Sequence, residues 1–368
     1  MNDLQVNLGS RSYPVYFDSD HFEKIPELIA ANFNSKVFLI TDTNVEKLYR
    51  TSVTAILKKV HCEHDWIIVP AGERYKGLIT TADVVGELLK KGAHRQSSLI
   101  ALGGGMVGDL AGFVAATYMR GISYAHIPTT LLAMVDSSVG GKVAVNHPLA
   151  KNVIGAFYQP KFVFGDSRFL DTLSKREMVC GLAEIIKYGL IAELSFFEWL
   201  ETNWEKILTN DVKSVRQAVY TSCLIKTRIV EKDEFESGPR MILNFGHTVG
   251  HALENLSGYE TIKHGEAVLY GMIAASYYSM KMNFLKQEDY IRIERILTAI
   301  IKNHEEKAVA DFIKKTSWKD LLGKMLSDKK STGSMKLIVL KGIGRAEVHA
   351  VTDQSKVADA FEHLKVLS

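Results

Sequence analysis

Two patterns of hydrophobic residues divide this chain. Up to about residue 105, short apolar runs at 36–42, 65–73 and 97–105 alternate with segments at 44–60 and 79–95. Continuous apolar runs of this length are typical of buried strands, whereas the apolar residues of the intervening segments recur at the three- and four-residue spacing of helices. Strands that alternate with helices predict a parallel α/β sheet.

After about residue 160 the strand signals end. The segments at 177–191, 196–208, 213–234 and 246–256 carry apolar residues at helical spacing. We therefore predict an α/β domain followed by a mostly helical one, with the junction in residues 160–174.

Composition and charge narrow the functional classes. A chain of 368 residues suits about two domains, and 46% hydrophobic with 24% charged residues is ordinary for a globular protein. The net charge of +3 is too small to favour nucleic acid or membrane as a partner. The three cysteines, Cys62, Cys180 and Cys223, form no CxxC motif, which disfavours a disulfide framework and fits a reducing compartment.

The first residues show neither the basic nor the apolar region of a signal peptide. The longest apolar runs are also far too short to cross a bilayer. We predict a cytoplasmic protein.

A glycine-rich turn follows the third predicted strand. Gly103, Gly104 and Gly105 precede a helical segment that contains Gly108 and Asp109. Backbone N–H groups at such a helix start can approach a phosphate. The spacing is not GxGxxG, and similar turns often only pack a helix on a strand, but the position after a strand favours dinucleotide binding.

Polar residues also follow the first two predicted strands. Asp42 and Asn44 come after the first, and Glu73 and Lys76 come after the second. An acid at a strand end can accept hydrogen bonds from ribose hydroxyls. For Asp42 the alternative is an ordinary helix N-cap.

The segment 129–152 is dense in polar residues between glycines. Lysines and hydroxyls beside glycine backbone form a favourable anion site, and the alternative is a solvated loop. Its apolar flanks favour a half-buried segment with a function. Its polar residues are Thr129, Thr130, Asp136, Ser137, Ser138, Lys142, Asn146, Lys151 and Asn152.

Three histidines indicate a metal site. His247 and His251 are four residues apart and share one face of a helix, while His264 opens a later apolar helix. Together with Glu184 they offer a carboxylate and imidazoles, the donor set of a catalytic zinc with open positions. The spacing leaves open whether His251 or His264 is the second imidazole ligand, and each histidine could instead be an ordinary core or surface residue.

Several cations lie near these residues in the sequence. Lys187 follows Glu184 by three positions, which is also the spacing of an intrahelical salt bridge. Lys226, Arg240 and Asn244 precede His247 and could bind a carboxylate or phosphate. The alternative for these cations is a solvated charged face.

The segments 103–121, 128–160, 181–189, 243–254 and 264–268 resemble, in the same order, those of the 3-dehydroquinate synthase family. The resemblance extends from about residue 40 to 280, and further on it rests mainly on the segment 327–330. It departs from the family pattern at Met106, Met134 and Val143-Ala144, where the family commonly has an aliphatic residue, Gln and Thr-Gly. The last change could alter the approach of NAD or substrate.

The resemblance implies an α/β plus all-α fold. An N-terminal Rossmann-like parallel-sheet domain (1–165) would bind NAD, and a C-terminal mostly helical domain (166–368) would bind metal and substrate. A homodimer, Zn²⁺ (or Co²⁺) and a small-molecule sugar phosphate are implied as well.

The resemblance also assigns roles to individual residues. Glu184, His247 and His264 would bind the metal, and His251 would contact substrate and handle protons. NAD contacts would be Asp42, Asn44, Glu73, Lys76, Gly105, Met106, Val107, Gly108, Asp109, Thr129, Thr130, Lys142, Lys151, Phe169, Leu170, Asp171 and Thr172. Substrate contacts would be Arg120, Asp136, Lys142, Asn152, Lys187, Lys226, Arg240, Asn244, His251 and one of Lys329 and Lys330.

The implied reaction belongs to the shikimate pathway of aromatic amino acid biosynthesis. It converts 3-deoxy-D-arabino-heptulosonate 7-phosphate to 3-dehydroquinate and phosphate, with NAD oxidising the substrate transiently. A sister sugar phosphate cyclase that forms an inosose or valiolone is the alternative. An alcohol dehydrogenase of the glycerol-dehydrogenase type and a non-catalytic homologue are more distant possibilities.

Overall fold

The computed structural model describes residues 2–18, 24–59, 61–258, 260–304, 306–327 and 335–367. Lys329 and Lys330 lie outside the described residues, so the expected substrate contact of one of them stays a prediction.

The described strands and helices are as follows. The strands are β1 (Asn2–Val6), β2 (Tyr13–Asp18), β3 (Val37–Asp42), β4 (His64–Val69), β5 (Ser98–Gly103), β6 (Tyr124–Pro128), β7 (Lys142–His147), β8 (Ala150–Phe157), β9 (Val163–Asp166), β10 (Lys336–Gly342) and β11 (Arg345–Ala350). The helices are α1 (Ile25–Asn32), α2 (Thr43–Lys59), α3 (Leu78–Lys90), α4 (Gly105–Thr117), α5 (Lys175–Ala192), α6 (Leu194–Leu208), α7 (Val212–Lys232), α8 (His247–Leu256), α9 (His264–Lys281), α10 (Gln287–His304), α11 (Lys307–Lys315), α12 (Trp318–Ser327) and α13 (Gln354–Leu367).

The chain forms two compact units. The first comprises Met1–Leu173 and Asn210–Phe235, and the second Ser174–Thr209 and Glu236–Ser368. The first unit thus includes residues 166–173 and helix α7, which the division at residue 165 assigns to the C-terminal domain. That division into an NAD-binding and a metal-binding part stays a prediction.

A seven-stranded sheet forms the centre of the first unit. Its order is β1-β2-β9-β6-β5-β3-β4, and β1–β2 is its antiparallel pair while the other neighbours are parallel. Every residue of β3, β5, β6 and β9 is buried, because helices cover both faces of such a sheet. The predicted parallel α/β arrangement is confirmed.

The carboxyl ends of β3, β4, β5 and β6 meet at one edge of this sheet. Asp42, the loop with Glu73 and Lys76, the glycine turn and Thr129 follow these four ends. Ligands of open parallel sheets bind outside this edge. The topology therefore gathers the residues that the sequence singled out after separate strands.

Several strands lie where the sequence analysis predicted none. Strand signals do not end near residue 160, since β9 follows it and the antiparallel pair β10–β11 belongs to the second unit. Residues 142–157, for which the sequence analysis predicted no strand, form the hairpin β7–β8. β9 has only four residues, and β7, β8 and β11 are partly exposed, so they lack the continuous apolar run that predicted β3 and β5. β10 does carry such a run, Leu337 to Leu340, and the sequence analysis missed it among helical signals.

The second unit is mostly helical, as predicted. Helices α5, α8 and α9 contact one another closely through glycines: a Cβ on Gly271 would lie 1.9 Å from the Gly246 carbonyl oxygen, and one on Gly265 would lie 2.2 Å from the Cys180 Cα. Nothing larger than glycine fits at these crossings. In the part of the chain that the structure describes, helices long and apolar enough to traverse a lipid bilayer are absent.

A similar contact joins helix α4 to strand β6 in the first unit. A Cβ on Gly108 would lie 2.1 Å from His126 Cε1, so Gly108→Ala must displace a buried ring. We expect this substitution to lower the free energy of unfolding by about 1–3 kcal/mol, measured by urea denaturation.

Gly86→Ala is the matched control for Gly108→Ala. Gly86 lies within helix α3, and a Cβ there meets nothing within 4 Å. Since alanine favours helix over glycine, this variant should gain about 0.5–1 kcal/mol. Equal stability of the two variants would contradict the packing role of Gly108.

Candidate functional sites

Glu184, His247 and His264 converge in the second unit. Glu184 lies within α5, and the histidines are the first residues of α8 and α9. Glu184 Oε1 lies 3.5 Å from His247 Nε2 and 3.6 Å from His264 Nε2, and one donor atom of each residue lies within 4.8 Å of the others. Two donors on one tetrahedral zinc lie about 3.4 Å apart, so the three side chains fit a divalent ion.

Hydrogen bonds at the far side of each ring direct the donor atoms. His247 Nδ1 donates to the Phe245 carbonyl oxygen at 3.0 Å, and His264 Nδ1 donates to Glu254 Oε2 at 3.0 Å. A carbonyl and a carboxylate only accept, so Nδ1 carries the proton of each ring. The lone pair of each Nε2 is then available to a metal, as in many histidine metal sites.

The pKa values of His247 and His264 are shifted in opposite directions. Burial and the nearby Lys187 ammonium lower the pKa of His247 to about 3, so this imidazole is neutral at ordinary pH. Burial also lowers the pKa of His264, but the Glu254 and Glu184 carboxylates outweigh it and raise that pKa to about 10. The two carboxylates thus favour positive charge at this point, whether a proton or a divalent ion carries it.

Glu184 also contacts Lys187. Both side chains are buried, and Lys187 Nζ forms an ion pair with Glu184 Oε2. The intrahelical salt bridge considered from the sequence is therefore present. It engages the other carboxylate oxygen, so the pair and a metal site at Oε1 are compatible.

His251 lies beside this cluster, one helical turn after His247. Its ring centroid is 5.1 Å from that of His247 and 5.9 Å from that of His264, and its side chain is exposed. It groups with Glu254 and His264 within 4.8 Å. The structure thus brings His264 next to Glu184 and leaves His251 at the rim.

The start of α9 is held by residues that the sequence analysis did not single out. Arg176 Nε and Nη2 donate to the two Glu266 oxygens at 2.6 and 2.8 Å, and Arg176 Nη2 also donates to the Thr261 carbonyl oxygen at 2.7 Å. Glu266 Oε2 accepts from the Lys263 backbone N–H at 2.8 Å. A Glu two residues into a helix start is a recognisable capping signal, and here it fixes the position of His264.

Arg240 and Asn244 lie in the 3₁₀ helix Pro239–Asn244 that leads into α8. Arg240 is almost fully buried, and Asn244 Nδ2 donates to Glu236 Oε1 at 3.1 Å. Both belong to the same unit as the metal cluster. Their expected contact with substrate stays a prediction.

In the first unit, Lys76 is the centre of a polar cluster. Its buried Nζ pairs with Asp109 and donates to Asn152 Oδ1 at 2.6 Å. Glu73 Oε1 lies 3.9 Å from the same nitrogen and accepts from Asn146 Nδ2 at 2.9 Å. Residues predicted separately as NAD contacts and substrate contacts therefore form one network.

Turn residues of this unit cap a helix or make room for close packing. Asp42 Oδ1 accepts from the Asn44 and Val45 backbone N–H groups at 2.8 and 3.1 Å, so the alternative of a helix cap is realised. Gly108 packs against His126, whereas a Cβ on Gly105, the first residue of α4, would lie 3.0 Å from Ser137 Oγ. The NAD contacts predicted for these residues stay predictions.

Asp136 lies in the π-helical turn Ala133–Ser137, a kind of turn frequent at functional sites. Lys226 Nζ donates to Asp136 Oδ1 at 2.7 Å and to its carbonyl oxygen at 2.6 Å. Lys142 is exposed at the start of β7, and Lys151 is partly exposed in β8. The polar residues of 129–152 thus occupy a turn and a hairpin.

The other expected NAD contacts are partly engaged in packing. Val107 and Thr129 are buried, and the Thr130 hydroxyl accepts from the Ala133 N–H at 3.2 Å. In the turn Ser167–Thr172, Phe169 and Leu170 are buried, Thr172 Oγ1 lies 2.6 Å from Tyr49 Oη, and Asp171 accepts from Asn210 Nδ2 at 2.7 Å.

Of the residues that depart from the family pattern, Val143 and Met134 are core residues. A Cβ on Gly112 of α4 would lie 2.3 Å from Val143 Cγ1, so this valine packs the hairpin against the helix. Met134 is buried, and its carbonyl oxygen accepts from Cys223 Sγ at 3.2 Å. Both changes act on packing within the unit.

Comparison with known proteins gives the same family for both parts of the chain. The family model described as 3-dehydroquinate synthase N-terminal matches residues 66–180, and the one described as 3-dehydroquinate synthase C-terminal matches residues 181–331. A curated 3-dehydroquinate synthase of Desulforamulus reducens is 46% identical over 350 residues, which is 95% of this chain and 96% of that protein.

Two solved structures share the fold. A 2-deoxy-scyllo-inosose synthase complexed with carbaglucose-6-phosphate, NAD⁺ and Co²⁺ is 26% identical, with a TM-score of 0.89 over 98% of this chain and 100% of that chain. A 2-epi-5-epi-valiolone synthase from Streptomyces hygroscopicus subsp. jinggangensis 5008, with NAD⁺ and Zn²⁺ bound, is 25% identical, with a TM-score of 0.88 over 98% and 99%. The chain belongs to the 3-dehydroquinate synthase family.

Proposed function

We propose that this protein converts 3-deoxy-D-arabino-heptulosonate 7-phosphate to 3-dehydroquinate and phosphate, a step of the shikimate pathway. The observation that carries the proposal is the donor set of Glu184, His247 and His264 in a chain that resembles 3-dehydroquinate synthases over nearly its whole length. The sister cyclases share the fold, which makes them the alternative, but they share much less of the sequence.

Two cofactors supply the chemistry that side chains cannot. NAD would accept a hydride and return it, so the reaction has no net oxidation. A divalent ion such as Zn²⁺ or Co²⁺ would polarise the oxygen at the oxidised carbon. The protein's contribution is to hold the donors, orient the substrate and neutralise the phosphate.

The residues of the second unit divide this work. Glu184, His247 and His264 would hold the ion through Oε1 and the two Nε2 atoms. Lys187 forms the ion pair with the buried Glu184 carboxylate at Oε2. The exposed imidazole of His251, beside the ligands, is placed to hold and pass a proton of the substrate.

Cations predicted as substrate contacts would neutralise charges of the substrate. Arg120, Lys142 and Arg240 are candidates for its carboxylate and phosphate groups. Elimination of phosphate next to a ketone requires these charges to be neutralised as the bond breaks. Lys226, which forms an ion pair with Asp136, is a further candidate for contact with the substrate.

Phosphate release tests the proposed activity directly. With Zn²⁺, catalytic NAD⁺ and the heptulosonate phosphate, we expect about one phosphate per substrate and no accumulation of NADH, followed by phosphate assay and absorbance at the nicotinamide band. Omission of NAD⁺ from stripped protein is the control.

Other outcomes of this assay identify the alternatives. NADH that accumulates with turnover would indicate a dehydrogenase of the glycerol-dehydrogenase type. Turnover of an inosose- or valiolone-forming sugar phosphate without turnover of the heptulosonate would indicate a sister cyclase.

Substitutions of His264 and His251 should have different effects. His264→Ala removes one of three donors, so we expect loss of about one metal equivalent together with activity. His251→Ala keeps all three donors, so we expect retained metal with a rate about 10²–10⁴-fold lower. Metal analysis of both purified variants, with steady-state rates, measures the difference.

A result with the roles exchanged would contradict the ligand assignment. Loss of metal from His251→Ala would place the ion in the group of His251, Glu254 and His264 instead, whereas metal retained in His264→Ala would exclude both groups.

We also propose that the protein is a homodimer in the cytoplasm. Cys62, Cys180 and Cys223 are free thiols, which fits a reducing compartment. Among the described residues β8 pairs with β7 alone, and this edge strand exposes Val153. An exposed apolar edge strand favours pairing with another chain.

Val153→Lys tests the role of this edge. Val153 is 60% exposed, so a lysine there is harmless to the monomer but places like charges against each other in a two-fold interface. We expect a dimer mass for the unaltered protein and a shift towards monomer for Val153→Lys in light scattering. The control Val366→Lys, at an 81% exposed position of α13, should stay dimeric, and a monomeric unaltered protein would refute the proposal.

A further inference from the structure

We propose that Glu254 is a positioning residue, which fixes the His264 ring and thereby sets the affinity of the protein for its metal ion. The inference deepens the proposed function and rests on the metal site of Glu184, His247 and His264. Glu254 itself is not one of these three donors.

The geometry around His264 assigns this role. Glu254 lies near the end of α8 with only 4% of its surface exposed, and its Oε2 accepts from His264 Nδ1 at 3.0 Å. A carboxylate can only accept here, so the Nδ1–H tautomer is selected. His264 Nε2 then presents its lone pair 3.6 Å from Glu184 Oε1.

The two ligand histidines differ in how they are oriented. The ring of His247 is held by a backbone oxygen, that of Phe245, which a side-chain substitution leaves in place. The ring of His264 is held by the side chain of Glu254. Of the two outer hydrogen bonds, this is the one that mutation can remove without touching a donor atom.

The placement of Glu254 connects two ligand-bearing helices. It follows His247 on α8 by seven residues, about two turns, and reaches the first residue of α9. A buried carboxylate is costly without a partner, and His264 supplies that partner. The hydrogen bond therefore orders the ring while the negative charge increases the basicity of the ligand nitrogen.

Substitution of Glu254 should weaken metal binding in a graded way. Glu254→Gln keeps an acceptor oxygen but loses the charge, and Glu254→Ala loses both. We expect Co²⁺ and Zn²⁺ affinity, measured by competition with a chelator, to fall several-fold for Glu254→Gln and about 10–100-fold for Glu254→Ala. The stoichiometry should stay at one ion per chain, and saturating metal should restore most of the activity.

Glu201→Gln is the matched control. The Glu201 carboxylate is also ion-paired, with Arg292 at 2.5 Å, but it lies on helix α6 of the same unit and belongs to neither group of candidate metal ligands. Metal affinity should be unchanged in this variant. A fall equal to that of Glu254→Gln would mean that the loss of any ion-paired carboxylate acts through stability, which would overturn the proposal.

Three further results would also overturn it. The first is a metal affinity of Glu254→Gln equal to that of the unaltered protein. This test is valid even if Glu254→Ala fails to fold. The second is a stoichiometry of two that falls to one, which would make Glu254 a ligand of a second ion. The third is metal binding that His264→Ala leaves unchanged. That result would refute the proposed metal site itself, so it is distinguishable from the other two.

Discussion

The buried carboxylate of Glu184 is the constraint on which the second unit depends. Helix α5 is buried along most of its length, so this charge has no water to stabilise it. Lys187 pairs with one carboxylate oxygen, and two imidazoles lie near the other. A divalent ion is the natural further partner of such a group, because it offers more charge than the histidines alone.

Close helix packing makes this convergence possible. The donors come from three helices, and they meet because glycines remove the side chains from the crossings of α8 and α9 and of α9 and α5. The clamp of Arg176 on Glu266 adds a fixed start for α9, and the bond from His264 to Glu254 fixes the ring that starts there. Helix packing, helix capping and the hydrogen bond to Glu254 therefore act together to position the donor atoms.

The first unit uses a different principle. A parallel sheet brings the ends of its strands to one edge, so polar residues far apart in sequence form the cluster around Lys76. Some residues there are explained by structure alone: Asp42 caps a helix and Gly108 makes room for His126. Residues at such an edge can serve folding and binding together.

Local pattern in the sequence was enough for β3, β4 and β5, for the helical second half and for the types of donor in the metal site, because these depend on periodicity and on side-chain chemistry. It gave no prediction for β1, β2 and β6, and it missed β9 and the hairpins β7–β8 and β10–β11. β9 is short and β7, β8 and β11 are partly exposed, while the apolar run of β10 lies in a half whose other segments have helical spacing. Family resemblance pointed to His264 over His251, but residue spacing left the choice open. Only the tertiary structure brings His264 to Glu184, and only it reveals Glu254 behind the ring, because both contacts join helices whose relative placement is set by packing and not by distance along the chain.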